Sequence, residues 1–404
     1  MSYKGLGKPK STSKIKPCLL SVLISLSSVN TVLAGSLEQA KAMHDRIAGV
    51  PADQSTLQQM ADLIDQQKPA DAAEIAMQNP DFYNTTLKLF ASPWTNIDQD
   101  IFEPLNDYSA TIIGIVRDDI DFRQVLQGDI LYVGDSSLSV PAYNNQNNQH
   151  YQSLEDQAIN LKDNLTQVTQ SGLTGLPSTA TAGIMTTRAA AKAFFYLGTN
   201  RAMLRFTLMN HLCTDLEPLK DNTRPADRIR QDVSRSPGGD SRLFLNNCVA
   251  CHSGMDPLAQ AFAYYNYEFD TDTDPEGEQG RIVYSADIVQ PKYHINSTNF
   301  PLGFVTPNDN WSNYWRSGNN RSLGWDPTLA GEGQGAKSLG EELSNSQAFA
   351  QCQVKKVFKS VCLRAPESES DINKVSEATT SFKQNSYKLK GVFADLTHYC
   401  TQEL

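Results

Sequence analysis

The segment that most constrains this chain is Cys-Val-Ala-Cys-His at residues 248 to 252. Its two thiols stand three positions apart, and an imidazole follows the second thiol directly. This is the pattern of covalent haem attachment, in which Cys248 and Cys251 bind the two vinyl groups and His252 ligates the iron. With 7 cysteines and 6 histidines in 404 residues, chance produces the pattern in about 0.002 of such chains. The sequence therefore predicts one covalently attached haem c.

Two other kinds of cysteine site share part of this spacing. A thioredoxin-type redox pair has the same spacing, but it belongs in a turn from a strand to a helix, and no strand pattern precedes Cys248. A structural zinc site would need one more ligand besides Cys248, Cys251 and His252, and the chain has no second close cysteine or histidine pair. Haem is the leading interpretation, because its covalent attachment takes place outside the cytoplasm and the N-terminus predicts export.

Residues 1 to 34 have the basic, apolar and small-residue regions of a signal peptide, with cleavage expected after Ala34. A membrane anchor is the alternative, but serines interrupt the apolar stretch at residues 18 to 29, which is shorter than the ~20 residues of a spanning helix. Cys18 precedes that stretch and is not placed like a lipoprotein acylation cysteine. We predict a periplasmic or secreted protein without a membrane span after cleavage.

The charge of the chain limits its partners. Removing residues 1 to 34, which contain five lysines and no acidic residue, changes the formal net charge from −10 to −15. A protein this acidic is not expected to bind nucleic acid or an anionic membrane surface. The expected partner is a redox protein with a cationic patch, which the sequence does not identify.

Hydrophobic periodicity predicts a mainly α fold. Short helices are expected over residues 36 to 90, and the polar stretch from 136 to 170 is interpreted as a long surface excursion. We expect a helical domain of unknown function over residues 35 to 180. A cytochrome c-like haem domain with long loops and C-terminal helices is expected over residues 181 to 404.

Capping residues predict the helices around the motif. Asp240 is expected to cap a short helix that delivers the chain to Cys248. Asp256 and Pro257 form an N-cap and first-position proline pair, which predicts that a new helix begins there and continues to Tyr267. Upstream, Asn200 is suited to cap a second helical segment after Gly198 and Thr199.

The C-terminal part is also expected to be helical. Residues 339 to 363 are predicted as one helix opened by the capping-box spacing of Ser338 and Glu341, and residues 386 to 400 as another. Between the motif and these helices, residues 269 to 337 are expected to form loops with a short hairpin, because glycine, proline, asparagine and aspartate are frequent there.

Several segments resemble the planctomycete-type cytochrome c family of exported proteins. They are Gly183-Ile184-Met185-Thr186-Thr187, Gly198-Thr199-Asn200-Arg201, and the motif running into Gly254-Met255-Asp256-Pro257. Residues 117 to 133 are similar to the helical domain of that family, and residues 348 to 364 to its C-terminal helices. The resemblance covers most of residues 40 to 400 and implies a monohaem electron carrier, but it implies no substrate.

Other residue types suit a haem environment. Basic side chains bind haem propionates. Four arginines precede the motif: Arg228, Arg230, Arg235 and Arg242. Each is also suited to an ordinary surface or loop role. Aromatic residues downstream are candidates for the pocket wall or for ordinary core packing: Trp311, Trp315, Trp325, Tyr264, Tyr265 and Tyr267. The acidic residues 270 to 281 lack the glycine and glutamate of an EF-hand and predict a solvated loop.

Four cysteines outside the motif remain after signal cleavage: Cys213, Cys352, Cys362 and Cys400. An even number in an oxidising compartment predicts two disulfides, with buried free thiols as the alternative. If Cys352 and Cys362 share one helix, they are ~15 Å apart and cannot bridge. Two connectivities then remain open.

The distal iron ligand departs from the simplest cytochrome pattern. The only methionine after the motif is Met255, one turn from His252 on a chain already fixed to the haem. His294 stands 42 residues beyond His252, at the spacing of a distal ligand. We predict His252 and His294 as the axial pair. The alternative is that His294 is a surface residue. The distal ligand would then come from the preceding helices, or the iron would stay open; the candidates are Met185, Met203, Met209 and His211.

Three functions are compatible with these features. The first is single-electron transfer by an exported monohaem cytochrome, with the potential set by axial ligand and burial. The second is a haem enzyme of peroxidase or oxygenase type with an open iron position, and the third is a redox-inert binding module with a structural haem. A dihaem peroxidase would need a second attachment motif, which the sequence lacks. Electron transfer is the leading prediction.

Overall fold

Helices form most of the chain in the computed structural model, which describes residues 35 to 196 and 198 to 402. The first nine are α1 (Ser36–Ala48), α2 (Gln54–Asp65), α3 (Pro69–Met77), α4 (Lys88–Ala91), α5 (Asp107–Arg117), α6 (Gln124–Gln127), α7 (Gln149–Asp156), α8 (Leu161–Asn164) and α9 (Gln170–Thr174). The others are α10 (Arg188–Phe194), α11 (Arg201–His211), α12 (Ser241–Leu243), α13 (Val249–Ala259), α14 (Gly335–Ser344), α15 (Gln347–Cys362), α16 (Glu369–Gln384) and α17 (Leu389–Thr401). Within the described ranges, no helix is both long and apolar enough to cross a membrane.

The strands are short and form three separate antiparallel pairs. They are β1 (Leu131–Gly134) with β2 (Leu165–Val168), β3 (Tyr265–Glu268) with β4 (Arg281–Tyr284), and β5 (Asn310–Ser312) with β6 (Glu332–Gln334). Their registers place Leu131 opposite Val168, Tyr265 opposite Tyr284, and Asn310 opposite Gln334. The prediction of a mainly α protein is therefore confirmed. Within residues 269 to 337, where a short hairpin was expected, β5 pairs with β6, and β4 pairs with β3, which lies just before that range. The predicted signal peptide lies outside the described residues.

The two ends of the described chain pack together. Apolar residues recur at helical spacing in both α1 and α17. The buried side chains include Met43 and Ile47 in α1, and Phe393 and Leu396 in α17. α17 lies against α1, α3 and α15. Residues Ala34–Leu404 form one compact unit, and its largest apolar core includes residues from both sides of the predicted boundary at residue 180.

The polar stretch from 136 to 170 is not wholly a surface excursion. It contains α7, α8 and β2, and three side chains of α7 are buried, among them His150 and Tyr151. His150 Nε2 accepts a hydrogen bond from the amide of Gly134 at 2.9 Å, and the Tyr151 hydroxyl donates to the carbonyl of Tyr132 at 2.8 Å. The prediction was wrong for these positions, because polar atoms of His150 and Tyr151 satisfy backbone groups of β1 inside the fold.

The C-terminal helices are more numerous than predicted. The single helix expected over 339 to 363 is two helices: α14 ends at Ser344, and Ser346 caps α15 by accepting from the amide of Phe349 at 3.1 Å. The chain becomes helical at Gly335, so Ser338 lies inside α14 and is not its cap. Helix α16 was missed, although Ser368 and Asp371 form a capping box at its start.

Two disulfides join the C-terminal helices to each other and to the segment directly after α11. Cys213 pairs with Cys352 at a Cα–Cα distance of 5.2 Å, and Cys362 with Cys400 at 5.3 Å. The prediction of two disulfides is confirmed. Cys352 and Cys362 share α15 and are not bonded to each other, as the helical rise requires.

Replacing Cys362 and Cys400 together by alanine is expected to lower the free energy of unfolding by about 2 to 4 kcal/mol. The bond closes a loop with a sequence separation of 38 residues, so its loss increases the entropy of the unfolded chain. Urea unfolding of the oxidised proteins measures the change. Recovery of both residues as alkylatable thiols from the folded wild-type protein would contradict the bond itself.

Candidate functional site

The Cys-x-x-Cys-His segment lies on a continuous stretch of helix. Asp240 caps α12 as predicted, by accepting a hydrogen bond from the amide of Arg242 at 2.9 Å. One π-helical turn, Phe244–Cys248, then leads directly from α12 into α13. Cys248, Cys251 and His252 occupy positions i, i+3 and i+4, so they share one face of the helix. All three are partly exposed, whereas the adjacent residues Val249, Ala250 and Ser253 are buried.

Both motif thiols are free, in contrast to the four other cysteines in the described residues. Burial raises the pKa of the Cys251 thiol. Reactive cysteines of redox pairs have the opposite shift, and they stand at the beginning of a helix that follows a strand. Here helix precedes Cys248, so the local geometry disfavours the redox-pair alternative.

Pro257 does not begin a new helix, contrary to the prediction. It lies inside α13, and a 3-10 turn, Gln260–Phe262, then leads to β3, so the expected helix up to Tyr267 is not present. Asp256 is consequently not an N-cap. Its fully buried carboxylate points instead toward His252, one helical turn before it.

Asp256 is the centre of a network of charged side chains beneath the imidazole. His252 Nδ1 lies 3.1 Å from Asp256 Oδ1. Arg201 donates to both carboxylate oxygens of Asp256, through Nε at 2.7 Å and Nη2 at 2.9 Å. The same guanidinium donates to Asp232 at 2.6 and 3.0 Å, and Arg230 lies 3.8 Å from Asp256. The contact between His252 Nδ1 and Asp256 Oδ1 fixes the position of the His252 ring and leaves Nε2 free to ligate a metal.

The network keeps Asp256 ionised. Burial alone would raise the pKa of Asp256, but the charges of Arg201 and Arg230 and the contact with His252 hold it well below its ordinary value. Burial disfavours the charged form of Arg201 as well, yet Asp256 and Asp232 raise its pKa. For Arg230, burial is dominant and lowers the pKa. A buried carboxylate that stays charged is a strong acceptor for the Nδ1 proton of a ligating imidazole.

A tryptophan packs closely against the other side of the motif helix. Trp315 is fully buried and lies so near Gly254 that a Cβ atom at that position would be 2.0 Å from the indole Nε1. Ser253 donates from its hydroxyl to the carbonyl of Asp221 at 3.3 Å, and the Asp221 amide donates to the carbonyl of Ala250 at 3.0 Å. These contacts hold α13 on its buried side and leave the cysteine face open.

A small apolar cluster lies next to the cysteines, separate from the main core. Its buried members are Ile229, Val233, Phe244 and Val249, and Cys248 packs against them. Leu243 and Leu245, shortly before the motif, are 44% and 56% exposed. Apolar surface beside the two thiols is the environment that a porphyrin would cover.

The arginines before the motif have partners in the protein. Arg235 donates to backbone carbonyls and packs over Phe244 at 4.9 Å, while the exposed Arg242 pairs with Asp240. Arg228 contacts Ser312 and Arg230 belongs to the Asp256 network. The propionate role predicted for these residues stays a prediction.

The downstream aromatic residues divide between core and hydrogen-bonding roles. Trp311 donates to Ser338 at 2.8 Å and Trp325 to the carbonyl of Trp315 at 3.0 Å. Tyr264, Tyr265 and Tyr267 are buried, two of them in the main core. Trp315 packs directly against the motif helix at Gly254.

His294 ends the short 3-10 helix Pro291–His294, and its side chain is exposed. Its neighbour Tyr293 donates to the carbonyl of Ala259 at 2.9 Å. Ala259 is seven residues after His252, ~10 Å along the helix axis. The axial pair of His252 and His294 stays a prediction.

The alternative distal ligands lie mostly in the main core. Met185 and Met203 are buried there, and Met209 is partly buried against it. His211 is fully buried, with Nε2 3.0 Å from the hydroxyl of Tyr108, and burial lowers its pKa well below the ordinary value. That nitrogen is therefore already engaged.

The residues present fit a covalently attached haem: two free thiols and a carboxylate-oriented imidazole share one accessible, partly apolar face. The described residues contain no group of three or more histidine, cysteine, aspartate or glutamate side chains suited to a metal ion. A haem iron does not need such a group, because it takes at most two ligands from the protein. The contact of Asp256 with His252 was not predicted, although the i+4 spacing of the two residues was a usable signal. No family model, curated protein or solved structure matches this chain.

Proposed function

We propose that this protein is an exported monohaem c-type cytochrome that transfers single electrons in the periplasm or outside the cell. The observation that carries the proposal is the face formed by Cys248, Cys251 and His252, with the imidazole held by the buried carboxylate of Asp256. The resemblance of the motif and its flanking segments to the planctomycete-type cytochrome c family agrees with it. The two disulfides suit an oxidising compartment.

Each residue has a distinct role in this proposal. Cys248 and Cys251 would hold the porphyrin through thioethers, and His252 would ligate the iron through Nε2. Asp256 accepts a hydrogen bond from Nδ1–H, which fixes the tautomer and orientation of the ring and raises its basicity as a ligand. Haem, when bound, supplies the one-electron change between the two oxidation states of its iron.

The surrounding charges and apolar residues set the electrostatic environment of that electron. Asp256 and Asp232 balance Arg201 and Arg230, so the network adds little net charge beneath the imidazole. The apolar cluster beside Cys248 limits access of water on that side. Both features tune the reduction potential without taking part in bond making.

The test is the mass of the protein expressed with its signal peptide in a host that has haem-maturation machinery. We expect the mass of one haem added to a chain that begins at or near Gly35. Replacing Cys248 and Cys251 together by serine should abolish the addition, because no thioether remains. The matched double variant of Cys362 and Cys400 also removes two cysteines and should keep one haem. Zinc or a bare dithiol in the wild-type protein would end the proposal.

Carbon monoxide separates the carrier from the haem enzyme on the same sample. A carrier with two axial side chains should show the same reduced spectrum with and without carbon monoxide. Replacing His294 by alanine should open the iron to the gas if that residue is the second ligand. Binding of carbon monoxide by the wild-type protein would favour the enzyme.

A further inference from the structure

A cleft of about 900 Å³ lies between α1, the segment from Thr85 to Trp94, and α15, all outside the proposed haem site. Its apolar lining consists of Leu89, Phe90, Pro93, Trp94 and Leu363. Two of these side chains are unusually open for their type, since Leu89 is 42% and Leu363 74% exposed. The size and the apolar lining are those of a site for a small organic molecule.

Three cationic side chains also line this cleft: Arg46, Lys356 and Lys359. Asp45 is its single acidic residue, and Lys41 already pairs with it. Among the residues that the structure describes, none of the three cations forms an ion pair with a carboxylate. The chain has a net charge of −10, yet this cleft has three cationic side chains and one acidic side chain.

Lys356 lies at the base of the cleft. Its ammonium is 3.6 Å from the centre of the Trp94 ring and donates to the carbonyl of Asn210. Burial, with a smaller contribution from Lys359, lowers its pKa well below the ordinary value. A ring face and a carbonyl compensate a buried ammonium only in part, so an incoming anion would gain a strong partner.

We propose that this cleft binds an organic monoanion that consists of a carboxylate on an apolar body. The carboxylate is held by Lys356 with Lys359 and Arg46, and the apolar body packs on Leu89 and Leu363, the exposed apolar side chains of the lining. Charge complementarity selects the anion over a neutral amphipath, and the apolar lining selects it over a small inorganic anion.

Calorimetric titration of the purified full-length mature protein tests this with octanoate as the probe. We expect saturable binding with one site per chain. 1-Octanol, which has the same chain without the charge, and inorganic phosphate, which has charge without the chain, should each bind at least about 10-fold more weakly. Octanol binding as tightly as octanoate, phosphate binding as tightly, or no saturable binding of octanoate would overturn the proposal.

Variants assign the binding to this cleft. Lys356→Met keeps the length of the side chain without its charge, and it should weaken octanoate binding by about 10-fold or more. Leu89→Glu places a carboxylate at an exposed position of the lining and should weaken binding by a similar factor even if Lys356→Met fails to fold. Lys355→Gln, an exposed neighbour that does not line the cleft, should bind like the wild type. Unchanged affinity in Leu89→Glu would show that octanoate binds elsewhere.

Discussion

Replacing Asp256 by alanine is expected to lower the free energy of unfolding by about 3 to 5 kcal/mol. The carboxylate is fully buried and compensates two arginines, of which Arg230 is only 3% exposed and Arg201 20%. Removing one member of a buried charged group leaves the others desolvated without a partner, which costs far more than the loss of a surface ion pair. Urea unfolding of the variant and the wild type measures the difference.

A surface pair provides the control for this prediction. Asp215 and Arg205 form a close ion pair in which the side chains are 35% and 45% exposed. Asp215→Ala should therefore change the stability by about 1 kcal/mol or less. An equal effect of Asp215→Ala and Asp256→Ala would show that the charged network beneath His252 does not stabilise the fold.

The effect of Asp256→Ala should also depend on pH. The pKa of Asp256 in the folded protein is held below its value in the unfolded chain. The carboxylate therefore contributes its full stabilisation above about pH 4, the ordinary aspartate range, and loses it as the pH falls through the folded pKa. The difference in stability between wild type and variant should be constant near neutral pH and decrease in acid.

Local patterns in the sequence predicted the features that depend on local geometry. The cap of α12 by Asp240, just before the motif, is present as predicted. The even number of cysteines predicted two disulfides, and the helical rise excluded a bond between Cys352 and Cys362. Each inference required only distances along a few residues of chain.

Features that depend on distant contacts could not be predicted in this way. Asp256 before Pro257 has the pattern of a helix start, but Arg201 and Arg230 reach Asp256 from elsewhere in the chain, and that ion pairing determines its role. Asn200 is similar: it stands at the start of α11 without capping it, and its side-chain amide donates to the carbonyls of Phe262 and Tyr265 at 2.8 and 2.9 Å. Tertiary partners overrode the local preference in both cases.

Gly340→Ala is expected to destabilise the protein by about 3 kcal/mol, the upper part of the usual range for overpacked interiors. Gly340 lies in α14 where that helix crosses α6, and a Cβ atom there would be 1.7 Å from the carbonyl oxygen of Leu126. The obstructing atom belongs to the backbone and cannot rotate away, so the two helices must separate. Urea unfolding measures the change.

Gly391→Ala is the matched control, because Gly391 is also helical but has nothing within 4 Å of its Cβ position. Alanine favours a helix over glycine by up to about 1 kcal/mol, so this variant should be as stable as the wild type or slightly more stable.

Leu126 and Gly340 stand on opposite sides of the boundary predicted at residue 180. Because one core spans that boundary, Gly340→Ala should shift a single unfolding transition as a whole. A second transition left at the wild-type midpoint would show instead that the two parts unfold independently.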